Sequence, residues 1–276
     1  MERIQKALEK ASKQRQTTTS FNSNNEEQKL DVIDIKKRSS ANKIAYEQTQ
    51  TIEVSDECFR KNRVVSALKN DARADLFKIL RTKIIQQMRA NQWNVLAITS
   101  PAEGVGKSLI ATNLAISIAM DANYSVLLAD LDLRRPSINS YFDMPADVGV
   151  RDYLESEHSI PNLLIHPGLE SLVILPAGKP LRSSSELLST PKMIALASEL
   201  KNRYPDRIVI LDLPPLLHTD DAIMIMPSVD ACVLVVAEGE TTEDEITRSL
   251  QLLDETKCLG TILNKAEDNQ TGGYYY

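Results

Sequence analysis

Gly106-Lys107-Ser108, inside the run ITSPAEGVGKSLI at 98–110, are the residues of this chain best suited to bind a charged group. An apolar, strand-like run at 93–99 enters the loop, and an apolar-periodic segment at 109–120 leaves it. A glycine-bearing loop between a strand and a helix is a phosphate cradle, because its backbone N–H groups and the helix N-terminus attract anions. Lys107 can reach the outer phosphates, and Ser108 can offer a hydroxyl to Mg²⁺. The usual GxxxxGK[ST] spacing asks for glycine where Pro101 stands, with Ala102 and Gly104 supplying small residues nearby. The bland alternative is a strand–helix turn without a ligand. The elements on both sides favour the cradle.

Acids come next. The run VLLADLDLRRP delivers Asp130 and Asp132 two residues apart, on one side if the strand continues through them. RIVILDLPP closes on Asp212. Carboxylates beside a phosphate site can hold Mg²⁺ directly or through water, and one can take a proton from a hydroxyl nucleophile. Acids at strand ends also cap turns, but three on two strands after a phosphate loop point to function. Arg134 and Arg135 could stabilise transferring charge or, if the resemblance described below holds, dock a neighbouring tail; a surface ion pair is the alternative. The chain closes on Tyr274-Tyr275-Tyr276 after AEDNQTGG. A polar, glycine-bearing tail is expected to be mobile and to carry those hydroxyls to a site.

The elements that must position these groups alternate. Apolar runs rich in β-formers occur at 93–99, 125–130, 171–175, 207–212, 231–237 and 259–263. Helical stretches fall at 107–120, 185–202 and 242–256, with Ser183 to Ser185 as N-cap candidates for the second. That pattern predicts an α/β fold with a mostly parallel sheet covered by helices on both faces. Ligands bind at the carboxyl ends of such strands, where the loop lies. Before the sheet, 71–88 reads as a strong helix with Leu76, Ile79, Leu80, Lys83, Ile84, Gln87 and Met88 on one side. Residues 29–70 are weakly patterned, 16–28 read as a flexible linker, and 1–15 as an amphipathic helix. The expected organisation is a 1–15 helix, a 16–70 linker, a 71–268 catalytic domain and a 269–276 tyrosine tail.

Composition sets the outer bounds. The 276 residues suit one large domain with an appendage, at roughly 150 residues per domain. No apolar run approaches the length of a membrane span and the N-terminus lacks a signal core, so a cytoplasmic protein is expected. Cys58, Cys232 and Cys258 show no metal-ligand spacing, and Cys232 and Cys258 are expected to be packed. His158, His166 and His218 have no paired nucleophile. Residues 1–90 hold 19 basic and 12 acidic side chains, against 13 and 26 in the remainder. The basic front could meet an acidic partner or an anionic membrane face, or simply be solvated.

SPAEGVGKS (100–108), DLDLRRP (130–136) and DLPP (212–215) together resemble the motifs of bacterial tyrosine autokinases, the BY-kinases of capsule and exopolysaccharide loci. The likeness covers about 70–265. LPAGKPLRSSSELL (175–188) resembles the family's AGxxPxxPxELL region. DLFKILRTK (75–83) resembles its ExxRxxR oligomerisation helix, with Asp75 and Lys78 in place of the acid and middle arginine, and Arg81 matching. MERIQKALEKA resembles the N-terminus of kinases from exosortase-related loci.

The resemblance implies a P-loop NTPase-like fold and ATP-dependent autophosphorylation of Tyr274, Tyr275 and Tyr276, in trans within a ring-like homo-oligomer. Ala102, Glu103, Gly104, Val105, Gly106, Lys107, Ser108 and Leu109 would bind ATP, with Asn264 on the adenine. Ser108, Asp130 and Asp212 would hold Mg²⁺, and Asp132 or Asp130 would orient or deprotonate the tyrosine. It also implies a separate membrane-anchored polysaccharide co-polymerase as activator, a tyrosine phosphatase, a place at the inner face of the plasma membrane through that partner, and no nucleic acid. Rival readings are a ParA/MinD-type ATPase and a nucleotide-dependent scaffold of the export machinery. The first usually carries KGGxxGK[ST] and DxDPQ, against Pro101-Ala102 and DLDLRRP here.

Overall fold

The computed structural model describes residues 49–145, 147–203, 206–253 and 256–267. The predicted helix at 1–15, the linker up to residue 48 and the terminal tyrosines lie outside the described residues.

Eight strands form one sheet: β1 (Gln50–Thr51), β2 (Val95–Thr99), β3 (Ser125–Asp130), β4 (Ile165–His166), β5 (Leu172–Leu175), β6 (Arg207–Asp212), β7 (Ala231–Ala237) and β8 (Cys258–Asn264). Their order is β1-β4-β5-β3-β6-β2-β7-β8. Every pairing is parallel except β4 with β5. The central strands are apolar throughout because both faces are covered, and alternate residues feed opposite layers. Ile208 and Ile210 enter one core, and Val209 and Leu211 the other.

The first layer holds α1 (Asp56–Lys61), α2 (Ala74–Ala90), α3 (Lys107–Ala119) and α4 (Ile138–Tyr141). The second holds α5 (Val150–Glu155), α6 (Ile160–Leu163), α7 (Ser184–Leu188), α8 (Pro191–Asn202), α9 (Asp221–Ile225) and α10 (Glu243–Leu252). Apolar around its whole circumference, α3 is buried from Lys107 to Ala119 except at Leu109.

Three expectations change. The single helix at 185–202 is two helices, because Pro191 lacks an N–H and holds Thr190 extended at ψ 153°. No side chain among Ser183 to Ser185 caps it; Ser184 and Ser185 turn to Asp221 instead. On α2 the apolar face is narrower than predicted. Ile84, Ile85 and Met88 are buried, but Leu76 and Ile79 are 67% and 55% exposed, turned away from the stripe that meets the core. Residues 50–70, expected within the linker, pack on the sheet layer. Phe59, Val64, Val65 and Leu68 are buried, Ser55 caps α1, and buried Asn113 of α3 accepts from Ser66 N and donates to the Arg63 carbonyl. Their apolar residues are too few and too irregularly spaced to register as a periodic element.

Candidate active site

The loop after β2 has the shape that its composition suggests. Gly104 and Gly106 take φ of 76° and 96°, the left-handed region that glycine enters without strain. Gly106 immediately precedes Lys107, the first residue of α3. Pro101 is tolerated because the loop uses its carbonyl, which accepts from Leu217 N at 3.2 Å. Leu216 N bonds Ser100 O at 2.8 Å, and Thr99 Oγ1 bonds Pro214 O at 2.8 Å, so the segment after β6 fixes the loop. From the end of β8, Asn264 Nδ2 donates to Val105 O at 2.7 Å. A Cβ added to Gly106 would fall 2.2 Å from that same nitrogen.

Beneath the loop lies one ammonium among three carboxylates. Asp130 and Asp212 are in-register partners at the ends of β3 and β6, and Asp212 also pairs with Ile98 of β2. Lys107 Nζ lies 2.8 Å from Asp132 Oδ2, 3.4 Å from Asp212 Oδ1 and 3.1 Å from Ser108 Oγ. Burial pulls the Lys107 ammonium down, but Asp212, Asp132 and Asp130 outweigh it and hold it above the usual lysine value. Burial and the Asp212 charge push Asp130 up to about 7, against Lys107 and backbone N–H groups. Burial likewise raises Asp212, although Lys107 and Ser108 oppose it.

Asp130 and Asp132 do not project side by side from a continuing strand. β3 stops at Asp130, whose Oδ1 accepts from Asp132 N at 3.1 Å while its Oδ2 accepts from Ser137 N at 2.9 Å and Ile138 N at 3.0 Å. The chain folds over Asp130, and Asp132 meets Lys107 instead. Asp130 thus caps a turn as well as lining the site, and its filled oxygens suit a water-bridged metal role better than direct ligation.

The donor set fits Mg²⁺. Asp212 Oδ2 is buried with no hydrogen-bond partner, and Ser108 Oγ is a second hard oxygen beside it. Among the described residues no group of three or more His, Cys, Asp or Glu side chains could hold a metal alone. Phosphate oxygens and water would complete the shell, the usual condition for Mg²⁺.

Comparison with known proteins matches the same residues. The ParA family model, described as NUBPL iron-transfer P-loop NTPase, matches residues 91–267. The tyrosine-protein kinase YwqD of Bacillus subtilis is 30% identical over 220 residues, covering 78% of this chain and 92% of YwqD. The chain belongs to the bacterial tyrosine-kinase branch of the ParA-like P-loop NTPases. The putative tyrosine-protein kinase CapB of Staphylococcus aureus is 29% identical over 74% of this chain and 89% of CapB. Among solved structures, the kinase domain of Escherichia coli Etk superposes with a TM-score of 0.70 at 27% identity, covering 82% of this chain and 93% of that domain. Full-length Etk is longer, and this chain spans 28% of it.

Other predicted residues fall differently around this kinase-family site. Arg134 is not free to meet transferring charge. Its Nε lies 2.9 Å from Asp221 Oδ2 and 2.8 Å from Ser184 Oγ, and its Nη2 lies 2.9 Å from Ser185 Oγ. Burial opposes ionisation of Asp221, but Arg134, Ser184 and Ser185 hold its carboxyl below the usual range. This network, missed in the sequence, joins residues 50 and 87 positions apart. Arg135 forms the surface ion pair, with Glu103 of the loop. Asp75 and Lys78 pair with each other on the exposed face of α2 at 2.8 Å, whereas Arg81 donates to Ser117 O at 2.8 Å and is occupied within its own chain.

Tyr141 on α4 was also missed. Burial raises its phenol, and the neighbouring Asp212 and Asp130 charges add to the rise. The 50–70 segment fixes α4. Phe59 meets Phe142 edge-on at 6.1 Å, and Asn62 Nδ2 donates to Ser140 O at 3.0 Å.

Proposed function

We propose that this chain transfers the γ-phosphoryl group of ATP to tyrosine, with Tyr274, Tyr275 and Tyr276 as acceptors. The observation that carries the reading is Lys107, held between Asp132 and Asp212 at the mouth of a phosphate loop. Residues 102–109 wrap the phosphates, and Asn264 braces the loop and meets the adenine. Lys107 leaves its carboxylates for the β- and γ-oxygens of the nucleotide. Ser108 and Asp212 would hold Mg²⁺, with Asp130 supporting it through water. When bound, Mg²⁺ neutralises charge on the transferring group. Asp132, released by Lys107, or Asp130 accepts the phenolic proton as the tyrosine oxygen attacks and ADP departs. An Asp130 carboxyl near 7 is well matched to proton transfer at neutral pH.

The test is an anti-phosphotyrosine blot of the full chain with ATP and Mg²⁺. Signal lost in Lys107→Met and in the triple Tyr→Phe tail variant supports the reading. ATP hydrolysis without phosphotyrosine would overturn it in favour of a ParA/MinD-type ATPase, and assembly without turnover in favour of a scaffold.

The finer assignments are part of the proposal. Phosphorylation occurs in trans within a homo-oligomer that uses the exposed start of α2, where Leu76 and Ile79 flank the Asp75–Lys78 pair. Mixing Lys107→Met with the tail variant should restore phosphotyrosine on the former if transfer is between chains. Added charge of about −1.5 to −2 per phosphate would loosen that assembly. A membrane-anchored co-polymerase of capsule or exopolysaccharide export is the proposed activator and holds the chain at the membrane face, while a phosphatase resets it. No described helix is long and apolar enough to cross a membrane.

A further inference from the structure

Cys232 is the second residue of β7 and Cys258 the first of β8, and the two are direct partners across the parallel ladder. Both thiols are free, Cys232 buried and Cys258 half-buried. The two side chains turn into the same layer, where Cys258 packs against the core that contains Cys232. Leu259 is then inserted as a bulge, because the next partners are Val233 and Gly260. That extra residue lets Ile262 pack into the opposite core while Cys258 stays beside Cys232. Adjacent strands lie about 4.8 Å apart, within the roughly 4.4–6.8 Å between Cα atoms that a disulfide spans.

We propose that Cys232 and Cys258 form a peroxide-oxidisable dithiol, a modification site at the amino ends of the strands, opposite the nucleotide loop. The Cys232 thiol and the Gly260 main chain draw Cys258 down to about 6, although burial opposes them. The bond to Cys258, together with burial, pushes Cys232 up. The attacking thiolate is therefore the sulfur nearer solvent. Cys258 sulfur attacks one oxygen of hydrogen peroxide, the O–O bond breaks, and the leaving hydroxide is protonated to water. This leaves a sulfenic acid on Cys258. Cys232 sulfur then attacks that sulfur. The S–O bond breaks, the S–S bond forms, and the Cys232 proton leaves with the hydroxide as a second water. Two thiols are oxidised and one peroxide is reduced to two waters. The product staples edge strand β8 to its neighbour.

The experiment takes the reduced full chain carrying Cys58→Ser, adds hydrogen peroxide, blocks remaining thiols and maps peptides without reduction. The expected product is a Cys232–Cys258 linked peptide that dithiothreitol reverses. In Cys258→Ser, Cys232 should stay reduced under the same dose. In Cys232→Ser, Cys258 should persist as a sulfenic acid that dimedone traps. The proposal is overturned if both thiols remain blockable, if Cys258 runs on to sulfinic acid without a link, or if it links only between chains. The wild-type result decides even where a core variant fails to fold, and none of the readouts depends on kinase activity.

Discussion

Two ionic clusters lie on either side of the loop that follows β3, one around the partly exposed Arg134 and one around the buried Lys107, and they are opposites in how completely their polar atoms are used. Around Arg134, one guanidinium, one carboxylate and two hydroxyls satisfy each other, with Asp221 bonded to Arg134, Ser184 and Ser185. Around Lys107, one ammonium faces three carboxylates, and Asp212 keeps a buried oxygen without a partner. The first cluster is closed and holds α7 and α9 against the loop. The second carries excess negative charge that needs a cation to complete it. A polar network left partly unsatisfied inside an otherwise consistent core marks the place where a ligand belongs.

Breaking each cluster should therefore give different losses. Lys107→Met should lower phosphotyrosine formation by about 10²–10³-fold or more, the scale for loss of one electrostatic contact to a transition state. Its circular dichroism should match the wild type. Retained activity would sink the contrast. Asp221→Ala should do the reverse, costing about 2–3 kcal/mol in a urea titration because it strands the partly exposed Arg134 and two hydroxyls. A phosphotyrosine defect larger than its stability loss would mean that the closed cluster also takes part in chemistry. Gly106→Ala should cost about 1–2 kcal/mol through the left-handed backbone alone, and should weaken nucleotide binding by displacing Asn264. Equilibrium titration with a fluorescent ATP analogue measures the second effect.

The smallest effect is a difference in pH dependence. Folded Asp130 holds its proton up to about 7, more tightly than an unfolded aspartate near 4. Its contribution to stability is complete below about 4 and is lost as pH rises through about 7. Asp221 is held below its ordinary range, so its contribution is present above that range and is lost as pH falls. Without nucleotide, thermal midpoints of the wild type should decline from pH 5 to pH 8 relative to Asp130→Asn. Parallel curves would remove Asp130 as the titrating group.

Much of this was legible in the sequence. The loop, the acids and the six main strands could be read because each is a local signal, an apolar run closed by a polar residue. What escaped was non-local. Arg134 gave no sign that its partners lay at 184, 185 and 221. Asp130 was readable as a strand-end acid, but the folding of the chain over it was not, because that depends on where Ser137 and Ile138 present their N–H groups. The α2 face was misjudged because periodicity finds an apolar stripe without telling how much of it the neighbouring helix covers. Pro191, and Ser55 before Asp56-Glu57, were local signals overlooked.

The edge-on contact between Phe59 and Phe142 has a practical consequence for anyone who trims this chain. A fragment begun at residue 71, where the strong helical pattern starts, would keep every residue of the phosphate loop and all three acids. It would nevertheless bare Phe142 and release α4, whose first backbone N–H groups are the ones that hold Asp130 in place. Such a fragment should express poorly or bind nucleotide weakly. One begun at or before residue 49 should not.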